Sequence, residues 1–188
     1  MITCIATLKS TSPYSQSRAL QSEKKTGESP DSLEQRAWHE RIHADIDGNV
    51  FIPPMAFKNC LSEVAKFLSQ TVPGKGKATY TKHFEAGISV MEPVMLGIKK
   101  SQVTFERLFL PSDGVRGSGK RVWKNYPIIP AWRGQVEIFA LDPVLTEKPE
   151  KIREYLEHAG KFIGIGRFRP RNNGYYGRFI VEDFKIVK

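Results

Sequence analysis

The stretch DGNVFIPPMAFKNCLSEVAKFLSQ, residues 47–70, decides the fold because it holds a short strand that passes directly into a helix. A turn at Asp47-Gly48 is followed by an extended segment over residues 50–52. Pro53-Pro54 then predicts the start of a helix, since proline is favoured in a first helical turn. Apolar residues recur at helical spacing and would form the buried face of this helix: Phe57, Leu61, Val64, Ala65 and Leu68.

Outward from this block, apolar patterning predicts the rest of the order. Strands are expected over residues 1–8, 87–91, 103–110, 122–129, 135–141 and 178–187, with further helices over 32–44 and 148–159. Without insertions, the order is strand, helix, strand, strand, helix, strand, which is the βαββαβ arrangement of ferredoxin-like and RRM-like folds. We therefore predict the α+β class, with an antiparallel sheet.

The domain plan follows from length and composition. The 188 residues, 40% of them apolar, suit a single domain spanning residues 1–188. Residues 10–32 are polar and predict a mobile arm, and residues 92–133 exceed what the core needs, which predicts a basic insertion shaped like a thumb. The two cysteines, Cys4 and Cys60, are interpreted as buried free thiols. Free thiols together with the lack of a long apolar run in this sequence predict a cytoplasmic protein.

The basic balance of the chain favours an anionic partner. The formal net charge is +9, and the stretch GRFRPRNNGYYGRF, residues 166–179, holds four arginines, three glycines, four aromatic residues and no acid. Arginines can pair with phosphates, aromatic rings can stack on unpaired bases, and glycines let a phosphate come close to the main chain. The residues predicted to bind nucleic acid here are Lys161, Arg167, Phe168, Arg169, Arg171, Tyr175, Tyr176 and Arg178, with Gly164, Gly166, Gly174 and Gly177 as glycines of close backbone approach.

The stretch at residues 166–179 allows two other interpretations, a cofactor site and a plain hairpin. A dinucleotide fingerprint fails because Arg169 stands where its third glycine belongs, so no cofactor is expected. A plain basic hairpin, turning at Asn173-Gly174, is the alternative to a binding site.

A second basic stretch, GVRGSGKR over residues 114–121, nearly matches a phosphate-binding loop. Arg121 replaces the hydroxyl that would hold magnesium, and a strand-like segment follows where a helix is needed. The stretch therefore favours a flexible loop laid over a polyanion, with Arg116, Lys120, Arg121 and the nearby Lys124 as its cations.

The segment HERIH, residues 39–43, satisfies the H-E-x-x-H pattern of zinc hydrolases. The helix predicted there is short and a third ligand is not evident, so we interpret the match as chance and predict no metal. His39 or His43 could instead act as a general acid in a metal-independent endoribonuclease, which is the enzymatic alternative to a binding module.

Two blocks together resemble the repeat-associated mysterious protein (RAMP) superfamily of CRISPR systems. Residues 48–67 are similar to its Ile-Pro segment that leads into the first helix, and Ile52, Pro53, Phe57, Lys58 and Leu61 match by type. Residues 164–178 resemble its glycine-rich loop before the last strand. The long insertion resembles the thumb of backbone subunits that polymerise along guide RNA.

The resemblance implies sequence-tolerant binding of single-stranded nucleic acid, with RNA favoured over DNA. The protein would act as a filament or as one subunit of a CRISPR-like ribonucleoprotein, and a stand-alone or virus-encoded relative is the other possibility. Lys58 lies where family members place a basic residue near the nucleic acid strand. A further alternative is a protein-interaction module or mimic whose basic face meets an acidic partner of a nucleoprotein complex.

Overall fold

The computed structural model of the chain describes residues 1–112, 114, 115, 117 and 119–187. The strands are β1 (Ile2–Ser10), β2 (Tyr14–Ser15), β3 (Asn49–Ile52), β4 (Ile88–Ser89), β5 (Val94–Lys99), β6 (Thr104–Pro111), β7 (Arg121–Ile129), β8 (Arg133–Ala140) and β9 (Phe179–Val187). The helices are α1 (Pro30–Ala37), α2 (Pro54–Leu68), α3 (Thr81–Ala86), α4 (Pro143–Glu147) and α5 (Glu150–His158). None of the described helices is long and apolar enough to cross a bilayer.

The largest sheet has the strand order β4-β8-β1-β9, and every neighbouring pair in it is antiparallel. Cys4, Ala6 and Leu8 alternate along β1 and are fully buried, as the pleat of a strand with one covered face requires. They belong to one apolar core together with residues of α2 and α5, such as Leu61 and Leu156. The protein is thus a mixed α+β fold with antiparallel sheets, consistent with the ferredoxin-like class expected from the sequence.

Helix α2 forms where the opening stretch predicts it. Pro54 lies in its first turn, where the missing N–H leaves no hydrogen bond unmade. The buried face holds Phe57, Leu61 and Val64 as expected, and the helix ends where Ser69 adopts a left-handed conformation with φ 47°.

A second sheet has the order β2-β7-β6 and contains the long hairpin β6–β7, which lies within the stretch predicted as an insertion. The hairpin pairs from Thr104 opposite Ile128 to Pro111 opposite Arg121. A smaller ladder joins β3 to β5.

Part of the polar segment at 10–32 packs against the core. Strand β1 continues to Ser10, and Tyr14, Ser15 and Gln16 are buried. The Tyr14 ring packs edge-on against Trp132 at 6.5 Å between centroids, and the Gln16 side chain donates to the Phe51 backbone carbonyl at 2.9 Å. Helix α1 already begins at residue 30, which leaves residues 16–29 without regular secondary structure. The mobility of this remaining segment stays a prediction.

Candidate nucleic-acid interface

A groove with a volume of about 940 Å³ separates the glycine-rich loop, residues 164–178, from the hairpin β6–β7. We call it the binding groove. Cations and aromatic rings from both sides line it, among them Arg121, Lys124, Arg167, Phe109, Phe168 and Tyr175. All three of these rings are substantially exposed, Tyr175 by 60%. This mixture of cations and open ring faces is the surface that sequence-tolerant binding of single strands uses.

Arg167 forms the floor of the groove. Its guanidinium carbon lies 3.8 Å from the ring centroid of Tyr126 and 4.2 Å from that of Phe168. The side chain is 9% exposed, and Nη1 and Nη2 are buried with no hydrogen-bond partner among the described residues. Burial holds the pKa of Arg167 below its usual value. The planar cation is therefore held between two rings, and its Nη donors are buried without a hydrogen bond to any described residue.

Two partners of Arg167 come from distant parts of the chain. Nε donates to Ser15 Oγ at 3.1 Å, and Nη2 lies 3.5 Å from the carboxylate of Glu106 on β6. Glu106 in turn accepts a 2.7 Å hydrogen bond from the hydroxyl of Tyr176. Tyr176 is only 4% exposed, and burial raises the pKa of its hydroxyl. Of the two predicted tyrosines, the structure therefore leaves only Tyr175 with an open ring.

Segments of the glycine-rich loop pack closely against one another, and this packing alone requires glycine at several positions. A Cβ atom on Gly174 would lie 1.8 Å from the carbonyl oxygen of Phe168, and one on Gly177 would lie 1.8 Å from that of Ile165. Gly164 and Gly166 both have positive φ, and a Cβ atom added to either would lie 2.5 Å from another protein atom. The protein's own atoms fill this space, so the approach of a phosphate to these glycines stays a prediction.

The other cations of the loop are less available than their sequence indicates. Arg169 donates to Glu63 on α2 at 2.8 Å, and the guanidinium of Arg178 donates to the backbone carbonyl of Lys161. The ammonium of Lys161 lies 5.2 Å from the Phe162 ring centroid. Arg171 is exposed at the outer turn of the loop.

Lys58 lies on α2 rather than at the groove. Its ammonium donates to Ser62 Oγ at 3.0 Å and to the backbone carbonyls of Phe84 and Glu85 at 3.0 and 2.8 Å. Burial lowers the pKa of Lys58. Lys58 thus has a structural role, because its ammonium hydrogen-bonds the backbone carbonyls at the end of α3.

At the tip of the hairpin, Lys120 and Arg121 are both exposed, and Arg121 lines the groove. Arg116 lies outside the described residues. Lys124, expected as a contact from the sequence, also lines the groove. Sequence reasoning missed Phe109 as a groove residue and Glu106 as the acid that pairs with Arg167.

The HERIH segment is not helical along its length. Helix α1 ends at Ala37, a short 3₁₀ turn covers Trp38–Arg41, and His43 follows in extended chain. The two imidazoles therefore do not share one helical face. Hydrogen bonds from the hydroxyl and backbone of Ser22 and from the backbone of Gln21 lower the pKa of Glu40 to about 2. In the described part of the chain, no three His, Cys, Asp or Glu side chains converge as a metal site.

The antiparallel α+β fold of this chain is similar to the folds of several solved structures. No family model and no curated protein matches this chain. A chain of the type III-B Cmr-beta complex bound to cognate target RNA superposes with a TM-score of 0.59 at 10% identity, covering 100% of this chain and 61% of that one. This chain thus spans about three fifths of that relative's length.

Two further structures are similar over most of this chain. Cmr6 from Pyrococcus furiosus has a TM-score of 0.49 at 13% identity, covering 96% of this chain and 98% of that one. A chain of a CRISPR RNA-guided surveillance complex has a TM-score of 0.42 at 11% identity, covering 97% and 68%. The first similarity shows that the chain shares its fold with that Cmr-beta chain, which agrees at the level of the fold with the resemblance noted in the sequence.

Proposed function

We propose that the binding groove holds single-stranded RNA. Phosphates would pair with Arg121, with Arg167 and with Lys124, whose ammonium also donates to Glu34 at 2.6 Å, and bases would stack on the exposed rings of Phe168 and Tyr175. The observation that carries the proposal is the state of Arg167: a desolvated guanidinium, held between two rings, whose Nη1 and Nη2 are buried and have no described hydrogen-bond partner. Leaving such donors unpaired costs free energy, and an anionic ligand that displaces the exposed Phe168 ring to reach them would recover it.

We also propose that the protein is a subunit of a CRISPR-type ribonucleoprotein, either in a filament or beside other subunits. The RAMP fold supports this, as does the presence of target RNA in the Cmr-beta structure. In the same proposal, β1, α2, β4, β8, α5 and β9 form a βαββαβ core, and the hairpin β6–β7 is its thumb. The observed strand order β4-β8-β1-β9 has the last strand beside the first, as that arrangement needs.

Fluorescence anisotropy with labelled single-stranded RNA, single-stranded DNA and duplex tests the proposal across a salt series. We expect the tightest binding to single-stranded RNA. The logarithm of affinity should fall against the logarithm of salt concentration with a slope of about −2, since three cations each release about 0.7 counterions from a single strand. Absence of binding at low salt, or equal binding of duplex, would contradict it.

Glu106→Gln should tighten RNA binding about threefold to tenfold, because it removes the carboxylate that lies 3.5 Å from Arg167 and competes with an anionic ligand for it. The glutamine oxygen can still accept the hydrogen bond from Tyr176, so the local structure is retained. The matched control is Glu182→Gln, which makes the same charge change on β9, where Glu182 pairs with Arg133. If Glu106→Gln binds RNA no better than this control does, Glu106 does not compete with the ligand.

A further inference from the structure

We infer that the RNA strand leaves the binding groove along the outer face of the hairpin β6–β7 and enters a second nucleotide site at the hairpin's base. This inference rests on the proposed function and extends its footprint. Three observations support it: a strip of exposed rings around one arginine, a second cavity lined by two lysines, and a shared residue at each end of the strip.

The strip begins at the groove itself. Phe109 lines the groove and also packs against Trp123, with 4.9 Å between ring centroids. These two residues are directly opposite in the register of β6 and β7, so their side chains share one face. Phe105 and Arg107 lie on that same face, because alternate residues of a strand point the same way. We call Trp38, Phe105, Arg107, Phe109 and Trp123 the aromatic strip.

Two further short contacts lie along the strip, and Phe105 and Arg107 are next neighbours on the same face of β6. The guanidinium carbon of Arg107 lies 4.7 Å from the Trp123 ring centroid, and Phe105 lies 4.8 Å from Trp38 between centroids. Phe105, Phe109 and Trp123 are each more than two fifths exposed. Arg107 pairs with Asp31, but both side chains are 39% exposed, and pairs of that kind contribute little and exchange readily. The strip therefore offers open rings around an available cation.

The second cavity has a volume of about 540 Å³ and adjoins the other end of the strip. Trp38 forms part of its wall, and His39, Lys99 and Lys100 supply cations or donors around it. Asp47 lines it as well, and the Lys99 ammonium donates to the Asp47 backbone carbonyl at 3.2 Å, which leaves Lys100 as the freer cation. A ring for stacking beside two ammonium groups suits one nucleotide with its flanking phosphates. The site lies where β5 ends and before β6 begins, at the opposite end of β6 from the groove.

The distance between the two sites fits a short strand. From Thr104 to Pro111, β6 advances roughly 24 Å at about 3.4 Å per residue. At about 3.4 Å per stacked nucleotide, roughly seven nucleotides would cover this distance. An oligomer of about four nucleotides can therefore fill the groove alone, whereas one of about 14 nucleotides can occupy both sites.

The test measures the anisotropy of labelled oligouridines of about four and about 14 nucleotides on the wild type and on Lys99→Ala/Lys100→Ala. A longer oligomer also binds more tightly because it can occupy the groove in many positions along its length. The increase in affinity is therefore compared with that of the variant, which shares this effect. We expect the gain in affinity from the short to the long oligomer to be about tenfold larger for the wild type than for Lys99→Ala/Lys100→Ala. The two proteins should bind the short oligomer equally. The control Lys24→Ala/Lys25→Ala removes the same charge from two exposed lysines of the polar segment and should behave as the wild type.

A second readout follows the ring at the cavity. In Trp123→Phe, the remaining tryptophans are Trp38 and the buried Trp132, so quenching by the long oligomer alone would report a base on Trp38. Equal gains in the wild type and in Lys99→Ala/Lys100→Ala, with no such quenching, would overturn the second site. Binding of the short oligomer would in that case still support the groove, whereas failure of the short oligomer would overturn the proposed function itself.

Discussion

Arg167→Met is expected to weaken the binding of single-stranded RNA by about 30-fold to 100-fold at low salt, the loss of one desolvated, charge-assisted contact. The free energy of unfolding should stay unchanged or rise. Methionine can keep the space between the rings of Tyr126 and Phe168. It gives up the hydrogen bond to Ser15 and the 3.5 Å ion pair with Glu106, but it removes a buried cation whose Nη1 and Nη2 have no described hydrogen-bond partner. Anisotropy and urea denaturation measure the two effects separately.

Two matched variants make this result specific to the position. Arg171→Met removes the same charge from an exposed turn of the same loop and should reduce affinity only a few-fold, since exposed charges are well screened. Arg167→Lys keeps the charge but loses the flat fork that two rings can hold, so it should recover only part of the affinity. If Arg167→Met and Arg171→Met lose the same affinity, Arg167 is not the floor of the site. A fall in stability with unchanged affinity would make Arg167 a structural residue.

Local pattern predicted the elements whose causes lie in consecutive residues. Helix α2 is the clearest case: Pro53-Pro54 fixes its start, and the spacing of Phe57, Leu61 and Val64 fixes the buried face. The resemblance to RAMP proteins rests on this block and on the glycine-rich loop, and the fold comparison confirms it.

Pairing across the chain could not be predicted from those patterns. The loop contains no acid, yet Glu63 pairs with Arg169 from 106 positions away, and Glu106 accepts a hydrogen bond from Tyr176 across 70 positions. A count of charges within a stretch therefore overstates its free cations. The same holds for Lys58, whose acceptors at the end of α3 lie 26 and 27 positions away.

The HERIH motif shows why a pattern needs its structural context. Two histidines four positions apart share a face only if the helix continues through both of them. Here the chain turns after Ala37, and Arg41 reaches back seven positions to pair with Glu34. Arg41 therefore forms a buried ion pair with Glu34, whereas a metal site would have needed the helix to continue through His43.

Glu34→Ala is expected to lower the free energy of unfolding by about 3–5 kcal/mol, because it leaves a buried arginine without its charge partner. The Glu34 carboxylate is 3% exposed and accepts hydrogen bonds from Arg41 at 2.8 Å and from Lys124 at 2.6 Å. It therefore joins α1 to β7, the strand that forms one wall of the groove. Urea denaturation measures the loss, and Asp31→Ala on the same helix is the control, since its exposed pair with Arg107 should contribute less than about 1 kcal/mol.

The pH dependence of this loss distinguishes a charge effect from a packing effect. Burial alone would raise the pKa of Glu34, but hydrogen bonds from Lys124 and Arg41 outweigh it and lower the pKa. A carboxyl whose pKa is lower in the folded state stabilises the fold above its unfolded pKa of about 4.3, and this stabilisation is lost as the pH falls through the folded value. The difference between wild type and Glu34→Ala should therefore shrink in acid, while a difference that is constant with pH would assign the loss to packing. Glu34→Met/Arg41→Met should recover much of the stability at neutral pH, because it removes both charges together.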